Sequence, residues 1–79
     1  MAEARSPAHA AWGNALRAFR LERGLSQEAL AEAAALDRTY VAGVERGERN
    51  PTLASLFRLT KAMDIGVSDL ALRAERGIH

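Results

Sequence analysis

The sequence predicts an all-α protein, a single compact domain of five helices. Apolar residues recur at helical spacing, as in the stripe of Trp12, Leu16 and Phe19, which falls on one face of a helix. Residues that favour helix starts precede the predicted helices, and glycines follow several of them. No window alternates apolar and polar residues in the way that a half-buried strand requires.

Length and composition fit one small domain. The chain has 79 residues, of which 48% are hydrophobic but only 5% aromatic, so its core must be thin and a partner subunit would help to stabilise it. We expect residues 1–6 to be a flexible N-terminal lead, residues 7–76 the folded domain and residues 77–79 a C-terminal tail.

The first two helices have clear start and stop signals. Ser6 and Pro7 are typical of an N-cap and a first turn, and they predict a first helix that ends before Gly24. Ser26 is the predicted N-cap of a second helix over 27–35.

The third helix is predicted over 38–46, with Asp37 as its N-cap and Gly47 as its end. A tight bend at Ala35 and Leu36 joins it to the small residues that end the second helix. Two short helices joined in this way are typical of a helix–turn–helix arrangement.

The last two helices follow a turn signal. Thr52 is the predicted N-cap of a fourth helix over 53–63, and a short fifth helix is predicted to begin near Ser68. Ile65 and Val67 are expected in the loop between them.

Composition excludes several kinds of site. The chain has no cysteine, so it has neither a disulfide nor a cysteine-based metal site. His9 and His79 lie near opposite ends, so we expect no metal and no cofactor. No apolar run approaches the roughly 20 residues of a membrane span and no signal peptide is visible, so we expect a soluble cytoplasmic protein without membrane contact.

The third helix has two different faces on a helical wheel. Tyr40, Val41 and Val44 fall on the side expected to face the core. Polar residues rim the other side around a centre of small residues, and this side comprises Arg38, Thr39, Ala42, Gly43 and Arg46. Because glycine in a helix costs about 1 kcal/mol relative to alanine, we interpret the bare centre as room for close approach to a DNA major groove. An ordinary solvated face is the alternative.

Residues on both sides of this helix suit the DNA backbone. Gln27 begins the second helix, where its amide and the free backbone N–H groups can meet a phosphate. Arg49 and Asn50 follow the third helix in a loop, from which they can reach the sugar-phosphate chain. The alternative for Gln27 is an ordinary residue of the first helical turn, and the alternative for Arg49 is a solvated loop side chain.

Two opposite charges fall on faces that should be buried. Arg20 follows Leu16 on the stripe of the first helix, and Glu45 follows Val41 at the edge of the buried side of the third. We expect an ion pair between the two helices, which need not add net stability. The alternative is that both side chains extend to water.

Several motifs together resemble the Cro/phage-repressor (XRE-like) helix–turn–helix family. The resemblance covers roughly residues 12–72, through Leu16, Arg20, the Gly24-Leu25-Ser26-Gln27 run, Leu30-Ala31, Glu45-Arg46-Gly47 and the run from Pro51 to Leu56. The stretch LDRTYVAGVERGERNPT looks most like the controller proteins of restriction–modification systems, which are stand-alone dimeric regulators.

The resemblance implies a lambda-repressor-like DNA-binding domain with its helix–turn–helix at about residues 27–46. Base-reading positions would be Arg38, Thr39, Ala42 and Gly43. Phosphate-contacting positions would be Ser26, Gln27, Tyr40, Arg46, Arg49 and Asn50. Arg20 and Glu45 correspond to the family's ion pair. Other members carry a long polar side chain at the position of Gly43, so reading falls to Arg38 and Thr39.

The C-terminal third predicts a homodimer. Its apolar residues exceed what so small a core can hide, and the expected interface comprises Leu53, Met63, Ile65, Val67, Leu70 and Leu72. A two-fold dimer would place two recognition helices about 34 Å apart, facing successive major grooves.

We therefore predict a sequence-specific transcriptional regulator that binds a (pseudo)palindromic DNA operator as a homodimer, with RNA polymerase as a further candidate partner. Because the chain ends soon after the fifth helix, we expect no small-molecule ligand. The sequence shows neither a nucleophile–base pair nor a pair of carboxylates, so an enzyme is the least favoured interpretation. The alternative is an antitoxin-type interaction module with secondary DNA binding, although the C-terminal RAERGIH is short and polar for a toxin-binding tail.

Overall fold

The computed structural model describes residues 6–77, and these form five helices with no strand among them. The helices are α1 (Pro7–Glu22), α2 (Gln27–Ala34), α3 (Arg38–Glu45), α4 (Leu53–Ala62) and α5 (Val67–Gly77). The all-α, five-helix prediction is confirmed. Residues 1–5 of the predicted lead and 78–79 of the predicted tail lie outside the described residues.

Three helices begin with the side-chain caps that the sequence predicts. Ser6, Ser26 and Thr52 each accept a hydrogen bond from the backbone N–H three residues later, at 3.3, 3.0 and 3.0 Å. Each bond satisfies one of the donors that a helix start leaves unpaired. Asp37 is the N-cap of α3 as predicted and has the backbone conformation of that position, but its side chain makes no capping hydrogen bond.

The fifth helix is longer than predicted. Val67, which we expected in a loop, is its first residue, and the helix continues through Gly77, which we expected in the tail. The side chain of Asp69 accepts a hydrogen bond from the backbone N–H of Gly66 at 2.8 Å. This bond stabilises the first turn of α5 and explains why the helix begins before Ser68.

The core lies between the helices, with α1 packed on α3 and α5, and α2 packed on α3 and α4. Its largest fully buried side chains are Leu16, Leu30, Val41, Leu59, Met63 and Leu70. Met63 and Leu70 therefore cannot present their side chains to a second subunit, and their assignment to a dimer interface is wrong. Leu53 and Leu72 are 74% and 48% exposed, whereas Ile65 and Val67 are half-buried.

The backbones of α1 and α3 come unusually close together at Gly13. A Cβ atom on this residue would overlap the carbonyl oxygen of Val44 and would lie 2.5 Å from that of Glu45. Because real Cβ atoms do not approach backbone oxygens so closely, only glycine allows this packing. Nothing in the sequence pattern of the first helix marks Gly13 for this role.

The outer surface of α1 is joined to α5 by Arg73. Its guanidinium carbon lies 4.6 Å from the centroid of the Phe19 ring, and its Nη2 donates a hydrogen bond to Glu22 at 2.5 Å. This hydrogen bond lowers the pKa of the Glu22 carboxyl. The pair is exposed, so water screens it and its contribution to stability is small.

Candidate nucleic-acid interface

The turn between α2 and α3 is as tight as the sequence predicts. Ala35 adopts a left-handed conformation with φ 57° and ψ 45°, and the backbone N–H of Leu36 donates to the carbonyl of Ala31 at 2.8 Å. A non-glycine residue in this conformation costs about 1–2 kcal/mol. This conformation turns the chain sharply from the end of α2 into the start of α3.

Arg20 of α1 and Glu45 of α3 form a buried ion pair. Arg20 Nε donates to Glu45 Oε2 at 2.6 Å, and Nη2 donates to Oε1 at 3.1 Å. A third donor, Nη1, reaches the carbonyl of Leu25 at 2.7 Å. Because the two residues are only 7% and 6% exposed, neither side chain extends to water. Arg20, which lies on α1, thus connects this helix both to the loop before α2 and to α3.

Gln27 belongs to the same network. Its Nε2 donates to Glu45 Oε1 at 3.0 Å, so the start of α2 is held to the end of α3 by a direct hydrogen bond. The amide that we expected at a phosphate therefore has a structural partner, and one amide N–H is left for DNA. Ser26 beside it is exposed, with its hydroxyl oxygen accepting the backbone N–H of Ala29.

The surface of α3 differs from the open face that the helical wheel predicts. Arg38 and Thr39 in its first turn are exposed, but Ala42 and Gly43 are both buried. The expectation of a bare, open centre is therefore wrong, and little of either small residue is left for a base to touch. The exposed polar side chains of α3 are concentrated at its N-terminal end and at the residue that follows it, Arg46.

The space beside Gly43 is occupied by Arg49. A Cβ atom on Gly43 would lie 2.5 Å from Arg49 Cγ, 3.5 Å from its Cβ and 3.7 Å from its Cδ. The carbonyl of Gly43 also accepts the backbone N–H groups of Glu48 and Arg49 at 2.9 and 3.2 Å. Gly43 therefore makes room for a side chain of the same molecule, and not for the approach of another surface as we expected.

Comparison with known proteins identifies the family. The family model described as helix-turn-helix matches residues 16–70. The chain belongs to the helix-turn-helix family.

Curated relatives and solved structures of this family include restriction–modification controller proteins. The chain is 48% identical over 58 residues to control protein C.SmaI of Serratia marcescens, a match that covers 73% of this chain and 69% of that protein. The crystal structure of controller protein C.AhdI from Aeromonas hydrophila is 47% identical with a TM-score of 0.78, over 78% of this chain and 94% of that one. The predicted resemblance to controller proteins is confirmed.

A further solved structure contains DNA. It is the tetramer of controller protein C.Esp1396I in complex with its natural 35-base-pair operator. This chain is 33% identical to that protein with a TM-score of 0.83, and the match covers 92% of this chain and 96% of that one.

In this helix-turn-helix domain, the remaining predicted phosphate contacts lie within α3 or shortly after its C-terminal end. Arg46 is exposed directly after the helix, and its Nε lies 3.1 Å from Glu48 Oε1, so a phosphate would compete with that carboxylate. Asn50 is exposed, and Tyr40 is half-buried against the core. A shallow groove brings Arg49 together with Thr39 and Tyr40 on one surface.

The described residues contain neither a candidate metal site nor a candidate membrane span. Residues 6–77 contain no group of three histidine or acidic side chains that could hold a metal ion. Across the same residues, no helix is long and apolar enough to cross a membrane.

Proposed function

We propose that this protein is a sequence-specific transcriptional regulator that reads operator DNA with α3. The observation that carries the proposal is the placement of Arg38 and Thr39. Both are exposed in the first turn of the second helix of a helix–turn–helix, and in this motif it is the N-terminal residues of the second helix that contact base edges. The ion pair of Arg20 with Glu45 anchors the other end of α3 to the core.

The two exposed residues have different reading capacities. The guanidinium of Arg38 is suited to a bidentate contact with O6 and N7 of guanine. Thr39 can hydrogen-bond to a base edge or pack its methyl group against that of thymine. Since Ala42 and Gly43 are buried, we assign direct base reading to Arg38 and Thr39 alone.

The residues around α3 are proposed to hold the DNA backbone. The N-terminus of α2 contributes free backbone N–H groups, to which an anion is attracted, together with the hydroxyl of Ser26 and the remaining amide N–H of Gln27. Tyr40 lies within α3, and Arg46, Arg49 and Asn50 follow its C-terminal end. Phosphate contacts from both sides would fix how α3 enters the groove.

We further propose that the regulator acts as a homodimer on a two-fold operator. The exposed apolar side chains of the C-terminal half support this, namely Leu53, Phe57 and Leu72. Phe57 is 63% exposed and was missed by the sequence analysis. The cytoplasm is the proposed place of action, and RNA polymerase is a proposed further partner when the operator lies beside a promoter.

The direct test is footprinting on the DNA that flanks the protein's own gene. We expect a protected site with two related halves at a protein concentration at which scrambled DNA is not protected. Equal protection of both DNAs, or protection of neither, would contradict the proposal.

A further inference from the structure

The position of Arg49 depends on the absence of a side chain at Gly43. We propose that Gly43 is a positioning residue, which lets Arg49 lie on the recognition helix and thereby holds its guanidinium ready for a DNA phosphate. This inference rests on the proposed DNA-binding function, and it assigns Gly43 a role through Arg49, not through contact with a base.

The geometry shows why any side chain at residue 43 would displace Arg49. A Cβ atom there would lie 2.5 Å from Arg49 Cγ, in the middle of the arginine stem. A clash at the tip of a flexible side chain could be relieved by rotating the last bonds. A clash at Cγ requires a change at the first torsion angles, which moves the entire guanidinium.

The main chain adds a second constraint. Gly43 O accepts the backbone N–H of Arg49 at 3.2 Å, so the α-carbon of Arg49 is held close to α3 before its side chain begins. The stem then crosses Gly43, and Arg49 borders the same groove as Thr39 and Tyr40. An arginine that is already ordered loses less conformational entropy when it binds than one that is free in solvent.

A double-mutant cycle separates this role from direct approach to DNA. The four proteins are the wild type, Gly43→Ala, Arg49→Ala and the double variant, titrated on operator and scrambled duplexes at several salt concentrations. Gly43→Ala should weaken binding to both duplexes by about twofold to tenfold, the range that corresponds to ordering one long side chain. Arg49→Ala should weaken binding by at least as much, and the double variant should bind no worse than Arg49→Ala.

Stability and charge provide the controls. Alanine favours a helix more than glycine does, which offsets the cost of moving the exposed arginine stem, so Gly43→Ala should unfold at about the same temperature as the wild type while binding DNA less tightly. If the role of Gly43 were purely structural, Gly43→Ala would lower both the unfolding temperature and the affinity for DNA. Arg76→Ala on α5 removes the same charge from an exposed site away from α3, and it should weaken binding less than Arg49→Ala.

Two results of the binding experiments would overturn the proposal. One is that Gly43→Ala lowers the affinity for DNA by the same factor in the wild type and in the Arg49→Ala variant. That result would mean that Gly43 acts on DNA directly. The other is unchanged binding by Gly43→Ala.

If the wild type bound no DNA, the proposed function would fail, but NMR relaxation of the Arg49 Nε–H group in the free protein would still decide the positioning role. We expect this group to be more mobile in Gly43→Ala, and unchanged mobility would contradict the role.

Discussion

Glu45 at the end of α3 accepts two hydrogen bonds from Arg20 of α1, at 2.6 Å from Nε and 3.1 Å from Nη2. A third, from the amide of Gln27 at the start of α2, measures 3.0 Å. Three helices thus meet at one buried carboxylate. Since the end of α3 is held there, the N-terminal turn that carries Arg38 projects from the domain in a defined direction.

The ion pair should be strongly coupled. Arg20→Ala or Glu45→Ala should each lower the free energy of unfolding by about 3 kcal/mol, because each strands a buried charge. The double variant should lose less than the sum. Chemical denaturation measures all three. Removing the exposed Glu22–Arg73 pair is the matched control and should change stability little. Additive losses for the buried pair would contradict the network.

The approach of α1 to α3 depends on Gly13. Gly13→Ala should lower the free energy of unfolding by about 1–3 kcal/mol, the usual cost of overpacking, because its Cβ would meet two carbonyl oxygens of α3. Asn14→Ala is the control, since Asn14 is the exposed neighbour on the same helix. Thermal unfolding of both variants decides the matter. If Gly13→Ala were as stable as the wild type, α1 could shift away from α3 at no cost in free energy.

Arg38 should determine base preference. Arg38→Ala should weaken operator binding by about 1–3 kcal/mol and flatten discrimination at one base position in each half-site. Arg49→Ala should weaken operator and scrambled DNA about equally and reduce the salt slope by about one unit. Titrations on both DNAs at several salt concentrations distinguish the two. If Arg38→Ala preserved base preference, Arg38 would be a backbone contact.

Self-association should require the exposed apolar residues of the C-terminal half. We expect sedimentation at micromolar concentration to show a dimer for the wild type, and a shift towards monomer for Leu72→Asp. Leu21→Asp is the control, because Leu21 is similarly exposed but lies on α1. A wild-type protein that is monomeric both free and on DNA would contradict the proposed dimer.

Local signals in the sequence were sufficient for the helices and for the inward charges. The hydroxyl caps at Ser6, Ser26 and Thr52 depend on residues three positions apart, and such signals can be read without knowing the fold. The pairing of Arg20 with Glu45 could be anticipated because both charges fall on otherwise apolar faces. The start of the fifth helix was misplaced beyond Val67 because backbone geometry, and not the residue type alone, determines where a helix begins. Asp37 is the N-cap of α3 as predicted, but residue type could not show that its side chain makes no capping hydrogen bond.

Packing between distant segments could not be read from local patterns. Met63 and Leu70 were assigned to a partner because the count of apolar residues does not show which of them the core encloses. A helical wheel shows Gly43 as bare since it omits the loop that returns across α3 with Arg49. Gly13 gave no signal beyond an isolated glycine within a helix, which becomes informative only when the α3 carbonyls are located beside it.

Selection from a random pool of DNA duplexes tests the central claim most directly, because the selection itself reveals the operator sequence. Wild-type protein should enrich one two-fold symmetric motif with half-site centres about 10 base pairs apart, and Arg38→Ala should enrich a motif that has lost one base preference in each half. Enrichment of no common motif by the wild type, or of the same motif by both proteins, would contradict sequence reading by the first turn of α3.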